Sequence, residues 1–218
     1  MKMQKWINQP AKQPPNEAYT KLASDEQIKR ASKALEKNGI PSFVAETAEE
    51  AKAKIFELIP EGAEVFTATS QTLAHLAGVL DELPERYESV RAKLAKMDPK
   101  TQNREMVIMG AIPDYMVGSV HAVTETGSVL IASNTGSQLA GYAASAAHVI
   151  WVVSTKKIVP DIEEGINRIY EYTYPLEDQR AQEAYGGMHS NVSKLLIVNR
   201  EIMPDRTKVI FVKEKLGF

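Results

Sequence analysis

The chain has 218 residues, enough to bury one sizeable core, and its 44% hydrophobic and 25% charged residues are ordinary for a globular protein. A formal net charge of −2 and a pI near 6.1 provide no general attraction to nucleic acid or to an anionic membrane, so neither is an expected partner. The absence of cysteine excludes disulfides, thiolate catalysis, zinc thiolate sites and cysteine-ligated iron–sulfur clusters, and no cofactor is expected in this chain.

Residues 1–23 read as an extended N-terminal arm, with Pro10, Pro14 and Pro15 among Gln, Asn and Lys, and with Trp6 and Ile7 as its docking candidates. No apolar run is long enough for a signal peptide or a membrane span, so the expected location is the cytoplasm. Residues 24–218 read as one α/β domain. Ser24 can cap a helix, with Gln27 closing a capping box and Ile28, Ala31 and Leu35 repeating at helical spacing until Asn38-Gly39. A short strand over 40–45 follows, then a helix over 47–58 with Thr47 as its cap. Residues 63–67 form the next strand, 68–71 a polar turn and 72–80 a helix burying Leu73, Leu76 and Leu80. Two more helices are predicted over 86–97 and 101–110, before Pro113-Asp114.

Strands over 115–124 lead into two small-polar turns, 125–128 and 133–138, joined by the apolar strand 129–132, which is expected to deliver both turns to nearby points. Residues 137–148 read as a helix of small residues, and 149–153 as a strand covered on both faces. Pro160 suits the first position of a helix running to Tyr172, and a polar helix over 176–185 ends at Gly186-Gly187. The last strands, 194–199 and 209–212, are candidates for a hairpin. This alternation predicts an α/β sandwich with a largely parallel central sheet flanked by helices, and ligand sites in such sheets lie at the carboxyl ends of strands.

Three turns are candidates for that rim. Thr69, Ser70, Gln71 and Thr72 follow a strand and open a helix, so their amides and hydroxyls suit an anion, with plain helix capping as the alternative. Asn134, Thr135, Gly136 and Ser137 combine a flexible glycine with three hydrogen-bonding side chains, a stronger anion-loop candidate with helix capping again as the alternative. Glu125, followed by Thr126, Gly127 and Ser128, is the candidate catalytic carboxylate, as base or nucleophile, with a solvated carboxylate in a hairpin turn as the alternative. His121 shares its strand parity and reads as structural. Lys157, beside Lys156 at the end of an apolar strand, either meets an anionic substrate or belongs to a solvated loop. Asp161 reads as a helix-dipole residue and Arg104 as a surface arginine. The histidines show no metal spacing, and the glycines fit neither the phosphate-loop nor the dinucleotide pattern.

Taken together, Ala68-Thr69-Ser70-Gln71-Thr72-Leu73, residues 122–130, Asn134-Thr135-Gly136-Ser137 and the strand 148–153 leading to Lys157-Ile158-Val159-Pro160-Asp161 resemble the lactate utilization (LUD-domain) family, in its small cysteine-free subunit type. The resemblance covers roughly residues 24–218. It implies a fold similar to ribose-5-phosphate isomerase and coenzyme A transferases, with loops that bind acidic or phosphorylated ligands. It also implies a part in L-lactate oxidation to pyruvate beside iron–sulfur partner subunits. The expected partners are thus a small anionic metabolite and, by the resemblance, iron–sulfur subunits, with a homodimer as the general default for an oligomer. Two further functions remain open: an independent isomerase or acyl/CoA-transferase-like enzyme using Glu125, and a non-catalytic ligand sensor or interaction module.

Overall fold

Alternation of apolar side chains along the strands sorts the chain into stacked layers. The computed structural model describes residues 9–218; Trp6 and Ile7 lie outside the described residues. A six-stranded sheet is built from β1 (Ser42–Ala45), β2 (Glu64–Thr67), β3 (Glu88–Ser89), β4 (Tyr115–Gly118), β7 (His148–Ser154) and β10 (Thr207–Val212). Its order is β1-β10-β7-β4-β2-β3, and every pairing is parallel. A second sheet contains β5 (Ala122–Thr124), β6 (Val129–Ser133), β8 (Ile158–Val159) and β9 (Lys194–Val198) in the order β8-β5-β6-β9.

Successive residues on a strand face opposite ways, and the core follows that rule. From β7, Val149, Trp151 and Val153 join Val209 and Phe211 of β10 in the core between the sheets, where they meet Val123, Val129 and Ile131 of the second sheet. The intervening Ile150, Val152, Ile210 and Val212 face outward onto α2 (Ala48–Leu58) and α3 (Gln71–Ala74), through Ala51, Ile55 and Leu73. On the far side of the second sheet, Ala122, Leu130 and Ala132 pack on Ile166 of α7 (Ile162–Arg168). Both faces of both sheets are covered, which is why 149–153 is apolar without alternation. α1 (Asp25–Lys37) inserts Ile28, Ala31 and Leu35 into the core between the sheets, and its start carries the capping box of Ser24 and Gln27.

Several element boundaries differ from the sequence reading, each for a tertiary reason. The segments 194–198 and 207–212 are not a hairpin: β9 pairs antiparallel with β6, whereas β10 inserts between β1 and β7 in the other sheet. Small residues over 137–148 form only one π turn, Gly141–Ser145. There the guanidinium of Arg206 donates to the carbonyls of Gly141 at 2.6 Å and Ala146 at 3.0 Å. The helix expected over 72–80 is broken at Gly78 (φ 76°) into α3 and α4 (Val79–Arg86). The next breaks at Tyr87, because Glu88 and Ser89 pair with Glu64 and Val65 before α5 (Val90–Leu94) begins. α6 (Asn103–Ala111) follows, with Arg104 exposed. Pro160 stands before its helix, and Asp161 is the cap, accepting from the Glu164 amide at 2.9 Å. A π turn, Ile169–Thr173, joins α7 to α8 (Tyr174–Ala184).

The described part of the arm docks on that helical unit. The Asn16 amide donates to the Glu171 carbonyl at 2.8 Å, and the Tyr19 hydroxyl to Glu164 at 2.8 Å. No helix among the described residues is long and apolar enough to cross a membrane.

Candidate functional site

Strand direction decides where the polar loops meet. β2, β4 and β7 run parallel, so the segments leaving their carboxyl ends converge: 68–70 before α3, Ser119 after β4, and the single turn Thr155–Lys157 after β7. With the 133–138 loop and the start of the segment following α8, they enclose a cleft of about 420 Å³. This is the strand-end position where open α/β sheets take ligands.

At its floor lies Lys157, 2% exposed. Its Nζ donates to Thr72 Oγ1 at 2.9 Å, Ser119 Oγ at 3.1 Å and the Val120 carbonyl at 2.9 Å. Those three acceptors use all three ammonium protons. Thr72 and Ser119 accept from the lysine, so their own hydroxyl hydrogens are left to donate elsewhere; the contact of Ser119 with the Val120 carbonyl is long, at 3.4 Å. Among the described residues no carboxylate pairs with Lys157. Burial pushes its pKa well below the usual lysine value, and Arg168 and Lys156 push it further down.

Two more buried cations stand close behind. Arg168, wholly buried, donates through Nη1 to the His121 carbonyl at 2.6 Å and to Thr173 Oγ1 at 2.9 Å, while its Nε and Nη2 have no hydrogen-bond partner among the described residues. Lys156 donates to the Gly217 carbonyl, and burial lowers its pKa to about 8. His121, on the cleft wall, accepts the Ala132 amide on Nδ1 at 3.0 Å, which assigns its proton to Nε2. Burial first, then Lys157 and Arg168, holds its pKa down to about 3, so the ring is neutral.

The loop residues divide by position. Thr69, Ser70, Gln71 and Thr72 all line the cleft. Capping is nonetheless present, because Ser70 Oγ accepts from the Leu73 amide at 3.3 Å, and Thr69 Oγ1 accepts from Arg91 at 2.8 Å. Asn134, Thr135 and Ser137 line the opposite wall. Gly136, at φ 90°, turns the backbone there, and its amide donates to Ser133 Oγ at 2.8 Å.

Glu125 and its neighbours are elsewhere. The expectation that one strand brings both turns together is corrected by the hairpin itself. β6 has five residues at about 3.4 Å each, so it separates the turns at its two ends by roughly 15 Å. Glu125 lies on α1, 2.5 Å from Arg30 Nε and 3.0 Å from Gln27 Nε2. The Arg30 hydrogen bond holds its carboxyl below the usual range. Thr126 Oγ1 meets Thr124 Oγ1 at 2.9 Å, Gly127 lies on the backbone of Ala34, and Ser128 Oγ donates to Asn199 at 2.8 Å. None of these four residues borders the cleft.

A sequence model of the LUD domain matches residues 28–212, most of the chain. The chain belongs to the LUD domain family. That family is linked to lactate utilization. The LUD fold is also that of a solved DUF162 family protein from Deinococcus radiodurans, at 13% identity and a TM-score of 0.55, covering 88% of this chain and 99% of that one. At such identity the likeness is one of fold. No curated protein matches the chain in sequence.

Other residues of this LUD domain border the cleft without a sequence signal strong enough to single them out. Ser119 was accessible to inference, since it directly follows a strand whose carboxyl end should face the ligand. Arg180 and Glu177 pair at 2.7 Å on the cleft side of α8. His189 and Ser190 are held by Asp178 at 3.1 and 2.7 Å, which ties the segment after Gly186-Gly187 to the rim. Among the described residues no cluster of His, Asp or Glu has the makings of a metal site.

Proposed function

We propose that this LUD domain binds a small anionic metabolite, carboxylate or phosphorylated, above Lys157, and that it serves as a subunit in L-lactate oxidation to pyruvate beside iron–sulfur partners. The observation that carries the binding role is the buried ammonium of Lys157 ringed by three neutral oxygens. A buried charge is costly unless paired, and removing an ion from water carries a penalty of several kcal/mol, on the order of what a bound anion would offset. Thr72 and Ser119, oriented by the lysine, supply hydroxyl donors to the same anion. The missing cysteines support the second half of the proposal: any cluster that carries the electrons must belong to another subunit.

Thermal shift with lactate, pyruvate, sugar phosphates, coenzyme A esters and folates tests the binding role. At least one anion should raise the midpoint of the native protein, a ligand at a hundred times its Kd contributing about 2.7 kcal/mol. Lys157→Met should abolish that shift. A panel with no effect on the native protein, or an equal effect on the variant, would overturn the assignment. Affinity purification from the native host tests assembly, with iron–sulfur subunits as the expected companions and a solitary chain as the contrary result.

A further inference from the structure

The cleft is far larger than a three-carbon acid needs. A water molecule takes about 30 Å³ of liquid, and a lactate has six heavy atoms, so it fills only a minor part of 420 Å³. Cleft volumes of this order suit ligands of several hundred Å³.

Polarity is also graded along the cleft. The floor holds Lys157, Thr72 and Ser119, whereas the wall from α8 and beyond adds Tyr174, Ala181, Tyr185, Met188 and Val192, interleaved with the Glu177–Arg180 pair and the polar run 189–191. Two of these are large apolar side chains left in water at the rim: Tyr185 is 53% and Met188 63% exposed. They flank Gly186 and Gly187, whose φ values of 63° and 89° reverse the chain at the mouth. A cation–π contact and a hydrogen bond hold the two sides of that reversal, since Arg180 lies over the Tyr185 ring at 5.5 Å and His189 Nδ1 lies 3.1 Å from Asp178 Oδ2. Paired exposed apolar groups on a braced rim are informative in a way that a lone surface leucine is not.

We infer that the ligand is a two-part molecule, an anionic head seated at Lys157 and a bulky apolar tail, aryl or alkyl, covered by Tyr185 and Met188. This rests on the anion-binding reading above and narrows it, because a three-carbon acid alone would leave the apolar rim and most of the cleft unfilled. The head is a carboxylate or a phosphate, both of which present oxygens to the same donors. The tail contributes by removing apolar surface from water on both sides of the contact.

Calorimetric titration of matched pairs tests the inference: pyruvate against phenylpyruvate and 2-oxooctanoate, and inorganic phosphate against phenyl phosphate and hexyl phosphate. Within whichever head class binds, the tailed member should bind at least tenfold more tightly than its short parent. The double variant Y185A/M188A, altered only at exposed positions, should bring the tailed member back to the affinity of the parent and leave the parent unchanged. Equal affinity across a pair, with the short anion still bound, would overturn the two-part ligand and spare the anion site. Binding of tailed compounds that Lys157→Met leaves intact would instead defeat the anion site on which it rests. A double variant that weakens parent and tailed compound equally would also overturn the role of the rim.

Discussion

Three ionisable residues of this chain act through what surrounds them. Glu125 has the spacing of a catalytic carboxylate but the surroundings of a structural one, with Arg30 and Gln27 of α1 as its partners. Glu125→Gln should therefore leave anion binding at the cleft unchanged and flatten the acid limb of stability. The sign follows from its lowered pKa: its contribution is present above the ordinary carboxylate value of 4.5 and is lost as pH falls through the lower folded value. Urea denaturation from pH 7 to pH 3 checks this, and loss of ligand binding in the variant would return Glu125 to the mechanism. His121 behaves alike in sign over another window. Its pKa falls from 6.5 to about 3 on folding, so the unfolded chain binds more protons between those values and stability declines as pH drops across them. In NMR its ring should stay neutral from pH 8 to pH 5. Lys157 is a third case, a base whose pKa burial pushes well below the usual lysine value, with Arg168 and Lys156 adding to the shift. An anion placed over it should raise that pKa; proton uptake on binding, measurable as a dependence of the calorimetric enthalpy on buffer ionisation, checks this, and Lys157→Met should lose it.

Elements were most legible where local chemistry settles them. The start of α1 is written in Ser24 and Gln27, whose reciprocal bonds measure 3.3 and 3.0 Å. Ser24→Ala should cost about 1 kcal/mol in chemical denaturation, the usual price of a lost cap. The 125–128 turn depends on Gly127 at φ 86°, where an added Cβ would lie 2.6 Å from the Ala34 backbone carbon. Gly127→Ala should lose more than the ~1–2 kcal/mol of a left-handed alanine alone, because backbone cannot step aside as a side chain can. Less legible were the elements over 72–97 and 137–148. Their helical patterns are real, yet edge pairing at Glu88-Ser89 and capture of carbonyls by Arg206 interrupt them. Those partners lie 24 to 65 residues away along the chain, outside any local window.

At the scale of the whole molecule, a parallel sheet and a smaller mixed sheet share one core, and the arm is tied to the helices over the second. Removing residues 1–20 should lower the thermal midpoint, since it deletes the bond of Tyr19 to Glu164 and the Tyr19 packing on Tyr172 at 6.2 Å. An unchanged midpoint would make the arm energetically idle. The α/β class, the covered strand 149–153 and the loops 69–72 and 134–137 follow from periodicity and turn chemistry, which neighbouring residues suffice to express. So does the exclusion of disulfides and of cysteine-held clusters, which composition alone decides. Only the tertiary structure decided which polar turns share a cleft. A strand carries its two ends apart, so nearness along the chain put Glu125 on α1 and away from Asn134. Parallel pairing did the reverse: it brought Thr72, Ser119 and Lys157, up to 85 residues apart, to the end of one sheet and into hydrogen-bonding distance.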